Sequence, residues 1–473
     1  MSSPKVSVII PTYNNGPYLK EAIENVLEQS YAKLELIVIN DASTDHTDDV
    51  VTSCHDARIR YIKHQHNRYA AAARNTGIGA SSGELIAFLD GDDVMHRERL
   101  EAQVSFLERN HRVGLTYSSR FEIDASGHPL TIMKAPKSVE LSDLVLGYPY
   151  APSEVVVRRD WAFRVGLFDD GFRFHGEDPD FFMRLALAGC VMKGVDRALS
   201  YRRRYRNRAL RNFSKAMDDE FLAFDKTFTD SRCPRDVLAL RQRSKANLAL
   251  IWSYLAFCQN ETSVGQTLLQ RAIQGDRTIL DMEGRGFLQF LLTSSIRDGG
   301  EHESIVRGVF RQLPAELAWL GQYEDATVAR ACLVAAARDT LWDRGREATT
   351  KLVPSREMKA PVDQYFRGWI AAQLLNYQSA FGSQPMPDLL SRMSTFMREV
   401  GARRDVRWLK GEYFISKAFR DHRDSRSTDV IVGVLRAVSY RPIYIGNRGV
   451  MSILARSIVD RIATSRCRPS ACQ

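Results

Sequence analysis

ELIAFLDGDDV, residues 84–94, drives an apolar run straight into three carboxylates, Asp90, Asp92 and Asp93. Six residues ending in Leu89 have the continuous apolar character of a strand covered on both faces. The Asp-Gly that follows is turn chemistry. At about 5 Å spacing and an effective dielectric near 20, each carboxylate pair repels by roughly 3 kcal/mol. An exposed, screened turn tolerates that; otherwise the cluster asks for a cation. The stretch is not an EF-hand loop, because its sixth position lacks Gly and Val94 stands where a ligand should be.

The residues before it repeat the same grammar. KVSVIIP is another continuous apolar run, closed by Pro11, and YLKEAIENVLEQS carries the helical stripe Leu19, Ile23, Val26 and Leu27. LELIVIND predicts a second strand, STDHTDDVV a helix, RIRYIKH a third strand and AAARNTGIGAS a helix. Strand–helix–strand units this short imply an α/β fold with a mostly parallel sheet and right-handed crossovers. Ligands of such sheets sit beyond the carboxyl ends of the strands. PTYNN, NDASTD and DGDD fall at three of those ends, which gathers Tyr13, Asp41 and Asp90–Asp93 on one rim.

Each motif alone has an ordinary structural explanation. Tyr13 can stack on a nucleobase or cover a helix end. Asp41 can accept from a base N–H or close an Asx-turn. GIGASSG (77–83) precedes a strand and places its third Gly one residue late, so it is not a dinucleotide fingerprint. HQH (64–66) lacks a third ligand and reads as a solvated loop.

Together, VSVIIPTYNN, LELIVINDASTD, AAARNTGI and ELIAFLDGDD, in this order and spacing, resemble family 2 glycosyltransferases of the GT-A fold. VGLFDDGFRFHGEDPDFFMRLALAG (165–189) is similar to that family's second signature. The resemblance covers roughly residues 4–212 and implies an inverting transfer from a nucleotide-diphosphate sugar to a hydroxyl acceptor. Carried over by position, Tyr13 stacks on the base, Pro11 and Thr12 shape its pocket, Asp41 reads a base N–H and Arg74 supports the nucleotide. Asp92 meets the metal directly, and Asp90 contacts ribose or a metal-bound water. Mg²⁺ or Mn²⁺ suits such a donor set, since a hard cation held by carboxylate and phosphate oxygens neutralises the leaving diphosphate. UDP-sugars are the family's commonest donors.

HGEDPD (175–180) reads structurally as an N-cap at Asp178, Pro179 at the first helical position and Asp180 in the first turn. The resemblance places the general base at Asp178, with Glu177 orienting the acceptor or the base. The two roles are compatible. SYRRRYRNRALRNF (200–213) packs six arginines into residues 202–211, either a solvated basic face or a phosphate clamp. Arg202 and Arg204 are the clamp candidates. Arg204 stands where many relatives carry a His, which leaves the third protein ligand of the metal open.

Two domains are expected, a GT-A domain over 1–215 and an all-helical domain over 216–473, because strand-like runs nearly vanish after residue 215. LVAAARDTLWDRG (333–345) is typical of what replaces them. WLGQY (319–323) has tetratricopeptide ingredients at the wrong spacing, so the helical half resembles such repeats only in texture. It could bind a protein acceptor, mediate homo-oligomerisation or buttress the enzyme. NRGVMSILARSIVDRIA (447–463) fits a membrane-surface helix or, more simply, core packing.

The chain has 473 residues and a net charge of +9, which suits anionic partners such as nucleotides, phosphates or an acidic membrane surface. The seven cysteines form no CxxC pair, as expected of a reduced cytosolic protein. ANLALIWSYLAFC (246–258) is too short to span a membrane and predicts a core helix. Without membrane spans or a Gln-x-x-Arg-Trp element, a processive polymer synthase is not expected. The expected location is cytoplasmic, at most in peripheral contact with the inner face of the plasma membrane. Expected partners are a nucleotide-sugar donor and a glycan, lipid-linked or protein acceptor, with no nucleic acid. Two other readings stay open: a non-catalytic nucleotide-sugar-binding platform for helical adaptors, and a nucleotidyltransferase.

Overall fold

The computed structural model describes residues 5–204, 212–297, 302–358, 360, 362–381, 384–423 and 426–466. Two compact units divide the chain, Met1–Glu324 and Asp325–Gln473.

The first unit opens with β1 (Val6–Thr12), α1 (Gly16–Leu27), β2 (Leu34–Asn40), α2 (Thr47–Ser53), β3 (Ile59–Lys63), α3 (Tyr69–Ala80) and β4 (Leu85–Phe88). It continues with β5 (Val94–Met95), α4 (Arg99–Arg109), β6 (Val113–Ile123), β7 (Pro129–Met133), β8 (Ser138–Val139), α5 (Leu141–Leu146), β9 (Val155–Arg158) and α6 (Arg159–Arg164). Then come α7 (Glu177–Leu187), β10 (Val191–Arg203), α8 (Phe213–Thr229), α9 (Arg235–Leu238), α10 (Arg241–Cys258), α11 (Thr262–Gly275), α12 (Asp281–Arg297) and α13 (His302–Arg311). The sheet order is β3-β2-β1-β4-β9-β6-β10-β5. From β3 to β4 it is parallel; β9 enters antiparallel between β4 and β6, so the whole sheet is mixed. This is the sheet-and-flanking-helix order of the GT-A fold.

The early strands read as unbroken apolar runs because both faces are covered. Val6, Val8 and Ile10 point into one core with Leu19, Ile23 and Val26 of α1 and Leu100, Val104 and Leu107 of α4. Ile9, Ile37 and Phe88 point into the other, with Ala71, Ala73 and Ile78 of α3 and Phe181 and Phe182 of α7. The period of two puts alternate residues into different cores. Helix α3 approaches β1 closely at Gly77, where a Cβ would stand 2.4 Å from Ile9 Cγ2. Phe224 and Phe228 of α8 and Leu248 of α10 join the second core, so the secondary structure changes after β10 without the packing changing there. Helix α10 is the apolar segment 246–258; Leu248, Trp252, Tyr254 and Phe257 are buried in it. No described helix is long and apolar enough to cross a membrane.

The second unit is helical throughout its described residues: α14 (Glu324–Leu341), which begins at the boundary, α15 (Gly345–Glu357), α16 (Gln364–Phe381), α17 (Met386–Glu399), α18 (Asp405–Arg423), α19 (Ser427–Tyr440) and α20 (Arg448–Arg466). Val450 and Ile453 of α20 pack with Ile415, Ala418, Val430 and Val434, the core-packing reading of this helix. Ile458 is exposed, and the side chain of Ile462 lies outside the described residues. In the first unit, WLGQY lies in a 3₁₀ segment, Ala315–Tyr323, not in an α-helix.

Candidate active site

The floor of the site is made where β1 and β2 end. Thr12 and Asn40 are register partners, and the Asp41 N–H donates to the Thr12 carbonyl at 2.9 Å. Beyond them the two loops are laced together. Asn14 N donates to Ser43 Oγ (3.0 Å), Thr44 N to Asn14 Oδ1 (2.8 Å) and Gly16 N to Asp45 Oδ2 (2.9 Å). Asn14 takes a left-handed conformation, φ 56°, to turn the chain. Pro11 and Thr12 are buried, and Tyr13 is 38% exposed, so its ring is at the surface of this floor.

Asp41 is buried, and its Oδ1 accepts from the Arg68 N–H at 2.8 Å and lies 2.6 Å from His64 Nδ1. The other His64 nitrogen lies 3.0 Å from Thr76 Oγ1. Asp41 Oδ2 has no partner among the described residues. His64 therefore does not sit on a solvated loop, as HQH suggested; it is buried and holds the Asp41 carboxylate. The available signal was its position at the carboxyl end of β3, level with the other strand-end motifs.

The acidic turn follows β4. Leu89 N donates to the Ile9 carbonyl (3.1 Å), and Asp93 N closes the turn on the Asp90 carbonyl (3.0 Å). Gly91 is pressed against β1 and its loop: a Cβ there would stand 3.0 Å from Asn15 Nδ2 and 3.1 Å from Thr12 Oγ1. Asp93 is buried and accepts from Arg203 N at 2.9 Å. Burial, with Asp92 and Asp90 beside it, pushes its carboxyl well above the ordinary range. Arg203, buried at the end of β10, gives Nε to the Asp92 carbonyl (3.0 Å) and a terminal nitrogen to Glu21 (2.7 Å), and stacks its guanidinium 4.7 Å from the Tyr18 ring centroid. It ties the turn to α1, a function that the arginine run concealed.

The two clamp candidates separate. Arg204 forms a bidentate pair with Glu122 (2.5 and 3.0 Å), which Arg120 also contacts at 2.8 Å. Arg202 makes no side-chain hydrogen bond or ion pair among the described residues. Burial pulls its guanidinium down, but Glu122, Glu154, Asp93 and Asp90 hold it above its ordinary value. Arg206, Arg208 and Arg211 lie outside the described residues.

Helix α7 brings the second acidic motif. It starts at Glu177, with Gly176 as its N-cap. Asp178 thus lies in the first turn and is not the cap that Asp-Pro suggested. The reason is local geometry: Gly176 has φ 88°, and a Cβ there would stand 2.7 Å from the Asp219 carbonyl oxygen. Pro179 remains tolerable because first-turn N–H groups have no helical partner. Asp180 pairs with Arg184 and Lys226.

Arg74 joins the motifs. Buried on α3, it donates to Asp90 Oδ1 (2.9 Å), Asp178 Oδ1 (2.8 Å) and Glu177 Oε1 (3.0 Å). Burial opposes its charge, yet Asp178, Asp90 and Glu177 together raise its pKa. Burial pushes Asp178 well above the ordinary carboxylate range; Arg74 opposes this, while Glu177 and Asp90 add to it. One guanidinium thus fixes Asp90, at the end of β4, against the acidic pair of α7.

Residues 7–153 match the family model described as Glycosyl transferase family 2. That segment is similar to family 2 glycosyltransferase domains. A glycosyltransferase of Haemophilus influenzae is 33% identical over 162 residues, 34% of this chain and 64% of that protein. The UDP-Glc:alpha-D-GlcNAc-diphosphoundecaprenol beta-1,3-glucosyltransferase WfgD of Escherichia coli is 35% identical over 140 residues, 30% of this chain and 54% of WfgD. Among solved structures, the mannosyltransferase PcManGT from Pyrobaculum calidifontis in complex with GDP-Man and Mn²⁺ is 18% identical, with a TM-score of 0.42 over 75% of this chain and 88% of that one. The chain spans less than two thirds of the length of the curated relatives named here.

The acidic turn and the start of α7 carry carboxylates of the kind a divalent cation takes. Among the described residues, no three His, Cys, Asp or Glu side chains are arranged to hold an ion by themselves. Nucleotide-bound Mg²⁺ needs no such cage, taking one or two carboxylates and completing its shell with phosphate oxygens and water. Asp90, Asp92, Asp93, Glu177 and Asp178 carry five carboxyls, against the guanidinium groups of Arg74, Arg99 and Arg202 that act on them. Thr12 Oγ1, beside Gly91, is buried without a hydrogen-bond partner. A cluster of carboxyls with a buried, unsatisfied hydroxyl beside it fits a cation and an oxygen-rich ligand.

Proposed function

We propose that the chain is an inverting, metal-dependent glycosyltransferase moving a sugar from a nucleotide-diphosphate donor to a hydroxyl of a glycan or lipid-linked glycan. The observation that carries this is the Arg74 bridge, which places Asp90 and Asp178 on one guanidinium, each within 3 Å. Three strand-end motifs supply donor contacts, and Asp178, on a different element, is left for the acceptor.

In this reading Tyr13 stacks on the base, Pro11 and Thr12 wall its pocket and Asp41 Oδ2 accepts a base N–H. Asp92 and Asp90 would hold Mg²⁺ or Mn²⁺, which when bound supplies positive charge to the leaving diphosphate. Arg202, with no side-chain partner among the described residues, is the cation offered to those phosphates; Arg204 instead maintains the fold by neutralising Glu122. The acceptor oxygen forms a bond to the anomeric carbon. The bond from that carbon to the diphosphate oxygen breaks, and its electron pair leaves with the diphosphate. The acceptor's proton passes to the Asp178 carboxylate, whose raised proton affinity suits a general base. Arg74 and Glu177 orient that carboxylate. A single displacement inverts the anomeric centre. UDP is the proposed nucleotide, supported by the UDP-Glc in the name of the Escherichia coli relative.

The test measures binding and transfer separately. Thermal shift with UDP, GDP, dTDP and CDP, with and without Mn²⁺, identifies the nucleotide; ligand at 100 times its dissociation constant adds about 2.7 kcal/mol. Asp178→Asn should keep nucleotide binding and lose transfer by roughly 10²–10⁴-fold, the usual worth of a general base. Asp92→Asn should lose the Mn²⁺-dependent part of the thermal shift. Near-normal transfer by Asp178→Asn, or a metal response unchanged in Asp92→Asn, sinks the assignment.

A further inference from the structure

The loop that delivers Asp178 is held by helices that follow β10. Asp219 Oδ2, on α8, faces three consecutive backbone N–H donors: Arg173 (3.2 Å), Phe174 (2.9 Å) and His175 (3.4 Å). The next residue of the chain, Gly176, presses against the Asp219 carbonyl and caps α7. Glu220 adds a second hold. Buried at 4% exposure, it accepts from Tyr148 OH (2.9 Å) and from Trp252 Nε1 of α10 (2.6 Å). His175 Nε2 lies 3.7 Å from its Oε2, and the His175 ring meets Trp252 edge to face at 6.1 Å. Two successive acids on α8 therefore grip the segment 173–176 immediately before Glu177 and Asp178.

We infer that Asp219 and Glu220 are positioning residues for the base, so that α8 and α10 belong to the catalytic apparatus and do not merely follow it. A charged oxygen shared by three N–H groups fixes a backbone more firmly than a neutral one. The arrangement costs a buried carboxylate at Glu220, which three polar side chains from three separate segments then surround. Since Arg74 constrains Asp178 only from the sheet side, loosening the 173–176 loop lets the carboxylate shift relative to an acceptor. A misplacement of about 1 Å costs roughly 100-fold in rate. The Asp41 and Asp90 carboxylates are held by His64, Arg68 and Arg74, not by Asp219 or Glu220.

This inference rests on the proposed role of Asp178, and the experiment keeps the two separable. Full-length wild type, Asp219→Ala, Asp219→Asn and Glu220→Gln are compared by amide hydrogen exchange, by UDP affinity and by turnover of UDP-glucose and UDP-N-acetylglucosamine with Mn²⁺. In Asp219→Ala, exchange should rise roughly 10-fold or more across 173–178 and stay unchanged in β1–β4, because only a local opening is eased. Turnover should fall roughly 100-fold at unchanged donor KM and UDP affinity. Asp219→Asn keeps an acceptor oxygen and should recover most of the rate; Glu220→Gln should fall between. Unchanged exchange at 173–178 overturns the inference, as does unchanged turnover or a loss of UDP affinity in step with the rate. If wild type turns over no nucleotide sugar, the transferase reading fails, and the exchange comparison still decides whether α8 holds the loop.

Discussion

Glu122 shows how one buried charge sets the pH response of the site's frame. Its side chain is fully buried between Arg204 and Arg120. Burial alone would raise its pKa, but the two guanidinium groups reverse that and hold it below the ordinary Glu value of 4.5. A carboxyl depressed by folding contributes stability that is complete above its unfolded pKa and lost as pH falls through the folded one. Glu122→Gln leaves Arg204 without its buried counter-charge and Arg120 with Glu154 alone at 3.4 Å, so at pH 7 it should cost roughly 3–5 kcal/mol. Urea denaturation of both proteins at pH 7 and near pH 3 should show the gap narrowing in acid, where the unfolded wild-type chain takes up the proton. A gap of constant size would mean that shape, not charge, makes Glu122 necessary. Asp178 works in the opposite direction. Its pKa is raised, so it carries a proton at pH values where an ordinary carboxylate does not. If it is the base, the rate should climb with pH through that raised value and flatten above it; a rate falling over the same range would exclude it.

Among the elements, α3 is seated closely on β1. Gly77 lets it approach β1, and Arg74 lies one turn earlier on the same helix. Gly77→Ala should destabilise the unit by about 1–3 kcal/mol, the usual cost of overpacking. It should also reduce turnover more than stability alone explains, because lifting α3 draws Arg74 away from Asp90 and Asp178. Melting temperature and turnover measured on one preparation test this, and a stability loss with the full rate retained would uncouple the helix seat from the bridge. The seven elements from β1 to β4 were legible in the sequence for a simple reason: strands buried on both faces leave unbroken apolar runs, and the polar strand ends interrupt them. The rest was less legible where local chemistry had two outcomes. Asp178-Pro179 looks like a cap and first turn, yet the left-handed Gly176 takes the cap. His64 looks like a loop residue because its partners, Asp41 and Thr76, lie 23 and 12 positions away. Arg202, Arg203 and Arg204 are alike in sequence and separate only in the fold, where Arg203 ends β10 and ties the acidic turn while Arg204, just beyond the strand, pairs with Glu122. Nothing in the chain around Asp219 indicates that three N–H groups converge on it.

At the scale of the molecule, the break in composition near residue 215 and the division between compact units at Glu324 mean different things. The first marks where strands stop. The second marks where packing separates. Helical periodicity reveals that a face is buried but not what covers it, and for α8, α9 and α10 the cover is the core beneath the sheet, through Phe224, Phe228, Val237 and Leu248. Thr227 of α8 reaches Met183 of α7 at 3.3 Å, so the helix carrying Asp178 is roofed by this segment. A chain ending at residue 215 would remove Phe224, Phe228, Val237 and Leu248 from the core that holds Phe181, Phe182 and Met183. At about 2 kcal/mol for each large apolar side chain, that loss is comparable to the 5–15 kcal/mol that holds a whole domain together. Residues 1–324 produced alone should therefore be soluble, melt cooperatively and bind UDP with Mn²⁺ as the full chain does. Residues 1–215 should aggregate or show no cooperative transition. Should the shorter fragment melt cooperatively and bind nucleotide with full-length affinity, α8–α10 would be an appendage, and the roof over α7 would contribute nothing to the fold that presents Asp178.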